Sequence, residues 1–168
     1  MNTADNLRAA VIDASILVSI ASKETPTHLS AEVAFKTYSQ NGWEFFAPHV
    51  IVPEVMFALC QKLTGELLTK PEYEQAVKFF LDYMTIISTR DGEADLVKRA
   101  IEIREGYGCS RSSDGPYIAL AEDLAKTRTV ELFTLDKGMK NQAAKNAPTV
   151  TVRVLSPKSD KFYEIRKS

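Results

Sequence analysis

Two short apolar runs each stop at an aspartate: AAVI ends at Asp13 and VELFTL ends at Asp136. AAVI reads as a short buried strand and VELFTL as another, with one or two helices between successive strands along the chain. Parallel neighbours cannot be joined by tight turns and need crossovers of about a dozen residues or more, usually helical. Crossovers of this kind are expected to be right-handed. The chain offers such crossovers between its strand-like runs, so an α/β fold is expected.

The pattern between the two runs supports this. Ser15–Ser22 reads as a helix capped by Ser15. Ser30 is placed to cap a second helix over Ala31–Gln40, stopped by Asn41-Gly42. Glu44–Ala47 reads as a strand ended by Pro48. A helix with Pro53 in its first turn then runs to Thr64 and closes at Gly65. Its inward face is Val55, Met56, Leu59 and Leu63. Pro71 opens a helix to Met84 with Ala76, Phe79, Phe80 and Tyr83 inward, and Thr85–Ser88 reads as a strand. A helix beginning at Asp91 or Gly92 and ending near Gly106 turns Leu96, Val97, Ala100, Ile101 and Ile103 inward. Ser112-Ser113-Asp114 caps a helix to about Ala125. After the VELFTL strand come a short helix, Met139–Lys145, and a last alternating strand, Thr149–Leu155. One domain over 1–155 and a polar tail over 156–168 are expected.

Composition narrows the class. The chain has 168 residues, 45% hydrophobic and 26% charged, as a soluble one-domain protein would. The N-terminal stretch reads as neither a signal peptide nor an anchor. No apolar run approaches the roughly 20 residues of a membrane span. Cys60 and Cys109 form no CxxC or zinc-ligand pattern, so both read as small buried hydrophobes in a reducing, cytoplasmic compartment. Charge is polarised along the chain. Residues 1–125 carry 11 Lys and Arg against 18 Asp and Glu, and residues 126–168 carry 10 against 4. The basic C-terminal part fits either an anionic partner or simple solubilisation.

The chemistry centres on four acids. Asp13 and Asp136 follow strands and therefore project at the same edge of a parallel sheet. Glu54 lies in the first turn of the helix after EFFAP, and Asp114 opens the helix before the VELFTL strand. In open α/β sheets this edge, beyond the carboxyl ends of the strands, is where ligands bind. Gathered carboxylates repel one another unless a hard cation such as Mg²⁺ or Mn²⁺ neutralises them, and such a cation takes oxygen ligands. Singly, each acid has a structural explanation: Asp114 as a helix cap, Glu54 as a complement to the helix dipole, Asp13 and Asp136 as turn residues.

The same segments resemble the PIN-domain family. VIDASILVSI resembles its first strand, acid and helix, and APHVIVPEVMFAL the element with the glutamate. SSDGPYIALAEDL resembles the helix opened by the third acid, and LFTLDKGM the last motif, with Thr134 and Asp136. The likeness spans about residues 9–155. Gly115-Pro116 departs from the small and apolar residues usual after the third acid. The resemblance implies a three-layer α/β/α sandwich with a mostly parallel, roughly five-stranded sheet. Compact length makes the VapC-type toxins the nearest likeness within the family. It implies a Mg²⁺- or Mn²⁺-dependent endoribonuclease, a homodimer and a small antitoxin. Asp13 and Asp114 would be direct metal ligands, Glu54 and Asp136 would complete the pocket, and Ser15 and Thr134 would orient a carboxylate or water.

Around these acids, Lys137, Lys140 and Arg111 are candidate phosphate contacts. Tyr107, Tyr117 and Trp43 are either base-stacking or packing residues, with Tyr117 and Trp43 expected to pack. Two other functions compete: a non-catalytic RNA-binding or protein-interaction module on the same fold, and an aspartyl-phosphate phosphatase. The phosphatase would need a second acid two residues after Asp13, where Ser15 stands.

Overall fold

A computed structural model describes residues 6–24, 27–90, 94–109 and 114–155. Five strands, β1 (Arg8–Ile12), β2 (Glu44–Pro48), β3 (Ile87–Arg90), β4 (Thr129–Thr134) and β5 (Thr151–Val154), form one sheet in the order β3-β2-β1-β4-β5. Every pairing is parallel. The helices are α1 (Ala14–Ala21), α2 (Thr27–Gln40), α3 (Ile51–Thr64), α4 (Lys70–Met84), α5 (Ala94–Gly106), α6 (Asp114–Leu124) and α7 (Lys137–Asn146). Helix α1 packs against α2, α3 and α4, while α5 packs on α6 and α7, which gives the three-layer α/β/α sandwich.

Strand order follows from which runs can be buried twice. The central strand, β1, is buried from Ala9 to Ile12. The edge strands β3 and β5 are mostly half-buried or exposed. The chain moves from β1 outward to β3 on one side, then returns to β1's other side for β4 and β5. The sheet therefore has its topological switch point between β1 and β4, where open α/β sheets form a crevice. Register aligns the two strand ends, with Ile12 opposite Phe133, so Asp13 and Thr134 emerge side by side.

A carboxylate on β4 is matched within the sheet. Glu131 of β4 accepts from the Tyr38 hydroxyl at 2.5 Å and from Arg153 Nε at 2.9 Å. Tyr38 also packs edge-on to Phe133 and against Trp43, so Trp43 is a packing residue.

Several local expectations change. Helix α1 begins at Ala14 with Asp13 at the N-cap position, so Ser15 is not the cap. Helix α4 begins one residue before Pro71 because Thr69 and Glu72 form a reciprocal capping box. Strand β3 is shifted toward the C-terminus, at Ile87–Arg90. On α5 only Ile103 is buried, and Val97 and Ile101 are 49% and 52% exposed. The helix meets α6 through Ala100 and through Arg99, whose guanidinium donates to Glu122, and this leaves a second apolar stripe outward. Both cysteines are exposed rather than buried. The caps expected at Ser112 and Ser113, the start of α5 at Asp91 or Gly92 and the tail over 156–168 lie outside the described residues.

Gly115 has a packing reason to be glycine. A Cβ there would lie 2.7 Å from the Ala100 carbonyl oxygen of α5. The two backbones approach so closely that only a hydrogen fits between them, and a main-chain carbonyl cannot rotate away as a side chain can. Gly115→Ala should therefore lower stability by about 1–3 kcal/mol, as overpacking does elsewhere. Urea denaturation of the variant against wild type measures this.

Candidate metal centre

Asp13 is 7% exposed, at the carboxyl end of the central strand. Its backbone N–H donates to the Phe133 carbonyl at 3.0 Å, which continues the β1–β4 ladder one residue past the strand. Its side chain makes no capping hydrogen bond to α1. Two hydroxyls donate to its carboxylate instead, Ser15 Oγ at 2.5 Å and Thr134 Oγ1 at 2.9 Å, both to Oδ2.

The direction of these bonds is forced. Ser15 Oγ accepts from the Leu135 backbone N–H at 3.1 Å, and Thr134 Oγ1 accepts from the Asp136 N–H at 2.9 Å. A backbone N–H can only donate and an ionised carboxylate can only accept, while a hydroxyl has one proton to give. Each hydroxyl therefore points its proton at Asp13. The turn between β4 and α7 thus clamps one oxygen of a carboxylate on β1. Ser15 and Thr134, expected to orient a carboxylate or water, both donate to the Asp13 carboxylate.

Asp136 follows in the same turn. Its Oδ1 accepts from the Gly138 N–H at 2.7 Å, so it caps α7. It is exposed, and it also lines an open groove of about 530 Å³. Glu54, Ser15, Ala58 and Leu135 line this groove too, as does Glu24. Glu24 comes from the loop after α1 and pairs with Lys62. Nothing in its sequence context marked it.

Glu54 lies in the first turn of α3 and is half-buried. Its Oε2 accepts from the Tyr117 hydroxyl at 2.5 Å. Tyr117 is 1% exposed and lies one turn after Asp114, the first residue of α6. Residues three apart share a helix face, so Asp114 stands on the side of α6 that meets Glu54. Tyr117 does pack in the core, as expected, but its hydroxyl also reaches the acids. The available sequence signal was a lone phenol among aliphatic inward positions, because a buried tyrosine hydroxyl needs a partner.

Burial pushes the Asp13 carboxyl above the ordinary carboxylate range, and nearby Glu54 adds to this. The Ser15 and Thr134 hydroxyls oppose it. Burial likewise drives the Tyr117 phenol far upward, reinforced by Glu54 and Asp13, so it remains a proton donor. Among the described residues no three His, Cys, Asp or Glu side chains stand close enough together to hold one ion. What the fold brings together is narrower than four acids. Asp13 and Glu54 form the inner pair, Asp136 lies on the groove wall, and Asp114 opens the adjoining helix. Oxygen donors in small number suit a hard cation that keeps several waters, as Mg²⁺ does, and do not suit zinc. Of the candidate phosphate contacts, Lys137 and Lys140 are exposed beside this turn, and Arg111 lies outside the described residues. Tyr107 is covered by the Lys145 ammonium, 5.9 Å from its ring centre.

Solved structures share this architecture. VapBC2 from Rickettsia felis, solved bound to a DNA fragment from their promoter, matches with a TM-score of 0.62 at 13% identity, over 88% of this chain and 99% of that one. PAE2754 from Pyrobaculum aerophilum matches with a TM-score of 0.53 at 14% identity, over 98% of this chain and 95% of that one. The fold is that of a VapC-like PIN domain. No protein-family model matches the sequence, and no curated protein matches it. The strand order puts Asp13 at the β1–β4 switch point, at the carboxyl edge of the sheet where the sequence put both Asp13 and Asp136.

Holding Asp13 ionised opposes folding in the metal-free protein. A folded-state pKa above the unfolded value gives stability that is present at acid pH and lost as pH rises through the folded value. Asn at this position can still accept both hydroxyl bonds through its Oδ1. Asp13→Asn should therefore raise the melting temperature of the metal-free protein near neutral pH by roughly 2–4 °C, a gain of about 1 kcal/mol. The gain should shrink as pH is lowered. Thermal melts in chelator at several pH values check this.

Proposed function

We propose that the protein is a metal-dependent endoribonuclease, the toxin of a toxin–antitoxin pair, with Mg²⁺ or Mn²⁺ as cofactor. The single observation that carries this reading is the clamped, buried Asp13 beside Glu54 at the switch point of a VapC-like sheet.

Asp13 would hold the cation through Oδ1, the oxygen that neither hydroxyl engages, with Asp114 as the second direct ligand. Glu54 and Asp136 would complete the site, directly or through water. A cation bound there would polarise a water and neutralise charge on the phosphodiester. The groove would admit the RNA backbone, and Lys137 and Lys140 would hold flanking phosphates. Hydrolysis would leave a 3′-hydroxyl and a 5′-phosphate.

The other expected properties fit this reading. No helix among the described residues is long and apolar enough to cross a membrane. Exposed free thiols at Cys60 and Cys109 suit a reducing cytoplasm. Val97 and Ile101 on α5, with Phe57 on α3, provide apolar surface for the proposed homodimer. A small antitoxin is the proposed regulatory partner.

A second reading, a non-catalytic binding module on the same fold, is favoured by one specific observation: no three-carboxylate cluster occurs among the described residues. Incubation of labelled RNA with purified protein separates the two. Wild type should cut with Mn²⁺ and not with chelator, and Asp13→Asn should be slower by at least about 100-fold. RNA left intact by wild type at every metal concentration supports the binding module.

A further inference from the structure

We propose that Tyr117 is a positioning residue, holding Glu54 in place for the cation through its hydroxyl. This inference rests on the metal reading above and assigns a new role within that site. The phenol is 1% exposed and donates to Glu54 Oε2 at 2.5 Å. The hydroxyl therefore links α6, which carries it, to α3, which carries Glu54.

Packing alone does not explain a tyrosine here. Phenylalanine would fill the same space without a polar atom to bury, and burying an unsatisfied hydroxyl costs about 1–3 kcal/mol. The hydroxyl is satisfied instead by Glu54, which lines the groove from the first turn of α3. With Oε2 engaged by Tyr117, the carboxylate has a fixed plane. Asp114, one turn earlier on α6, is carried by the same helix. Displacing Tyr117 from Glu54 would loosen the spacing between the two acids that α3 and α6 supply. Partners that orient metal ligands typically change affinity by 10–100-fold when removed.

The test is Mn²⁺ binding, followed by the paramagnetic signal of the free ion, with no RNA present. Four proteins are compared: wild type, Tyr117→Phe, Glu54→Gln and the double variant. Tyr117→Phe should bind Mn²⁺ about 10-fold or more weakly. In the Glu54→Gln background the same change should alter affinity less than about 2-fold, because the group through which Tyr117 acts is already gone. Equal affinity of Tyr117→Phe and wild type overturns the role of Tyr117 and leaves the metal site standing. An additive loss in the double variant also overturns it, because a general structural effect would persist without Glu54. A wild type that binds no Mn²⁺ overturns both this role and the metal reading. A measurement on wild type needs no Phe variant to fold: the Tyr117 hydroxyl proton resonance should move when Mg²⁺ is added. A resonance unmoved by saturating Mg²⁺ contradicts the proposal.

Discussion

The site depends on two hydroxyl protons that have nowhere else to go. Ser15 and Thr134 each accept from a backbone N–H of the β4–α7 turn, and each gives its one proton to the acceptor-only carboxylate of Asp13. These bonds exist because β1 and β4 are paired in a register that places Ile12 opposite Phe133. A slip of one residue would turn Asp13 to the other face of the sheet. The carboxylate's position is thus set by the most buried part of the fold, and the chemistry inherits the rigidity of the central strands.

That arrangement sets stability against function. A buried carboxyl near a second carboxylate is unfavourable when ionised, and hydroxyl donors offset only part of the cost. Elsewhere the molecule matches its charges closely: Glu131 is held by Tyr38 and Arg153, and Glu122 by Arg99. The contrast is informative. Where the fold needs a charge only for structure, it supplies a cation of its own. At Asp13 it supplies neutral donors on one oxygen, beside a groove open to solvent. Close packing of α6 on α5 at Gly115 then fixes where Asp114 and Tyr117 stand relative to that groove.

Much of this was legible in the sequence. Strand-like runs separated by one or two helices announced a mostly parallel sheet, and the aspartates after AAVI and VELFTL marked one carboxyl edge of it. Strand order and full parallelism required the structure, since short apolar runs do not state their neighbours. Helix boundaries moved where side chains competed for the caps. Ser15 resembled a cap but serves Asp13, and Thr69 with Glu72 starts α4 before Pro71. On α5 the apolar spacing was read correctly but its use was not, because contact through Arg99 and Ala100 turns Val97 and Ile101 outward. The resemblance ranked Asp13 and Asp114 ahead of Glu54 and Asp136, whereas in the fold Glu54 is the acid whose charge bears on Asp13. Clamping of Asp13 depends on hydroxyls from opposite ends of the chain, 121 residues apart in the case of Thr134. The Tyr117–Glu54 bond spans 63 residues and leaves no local pattern.

The central claim is that Asp13, clamped through one oxygen, presents the other to a divalent cation. Crystals soaked in Mn²⁺ and measured near the manganese absorption edge test it directly. An anomalous peak is expected about 2.1 Å from Asp13 Oδ1, on the groove side and facing Glu54. A fully soaked crystal with no peak at Asp13, or with manganese bound only elsewhere on the surface, would contradict it.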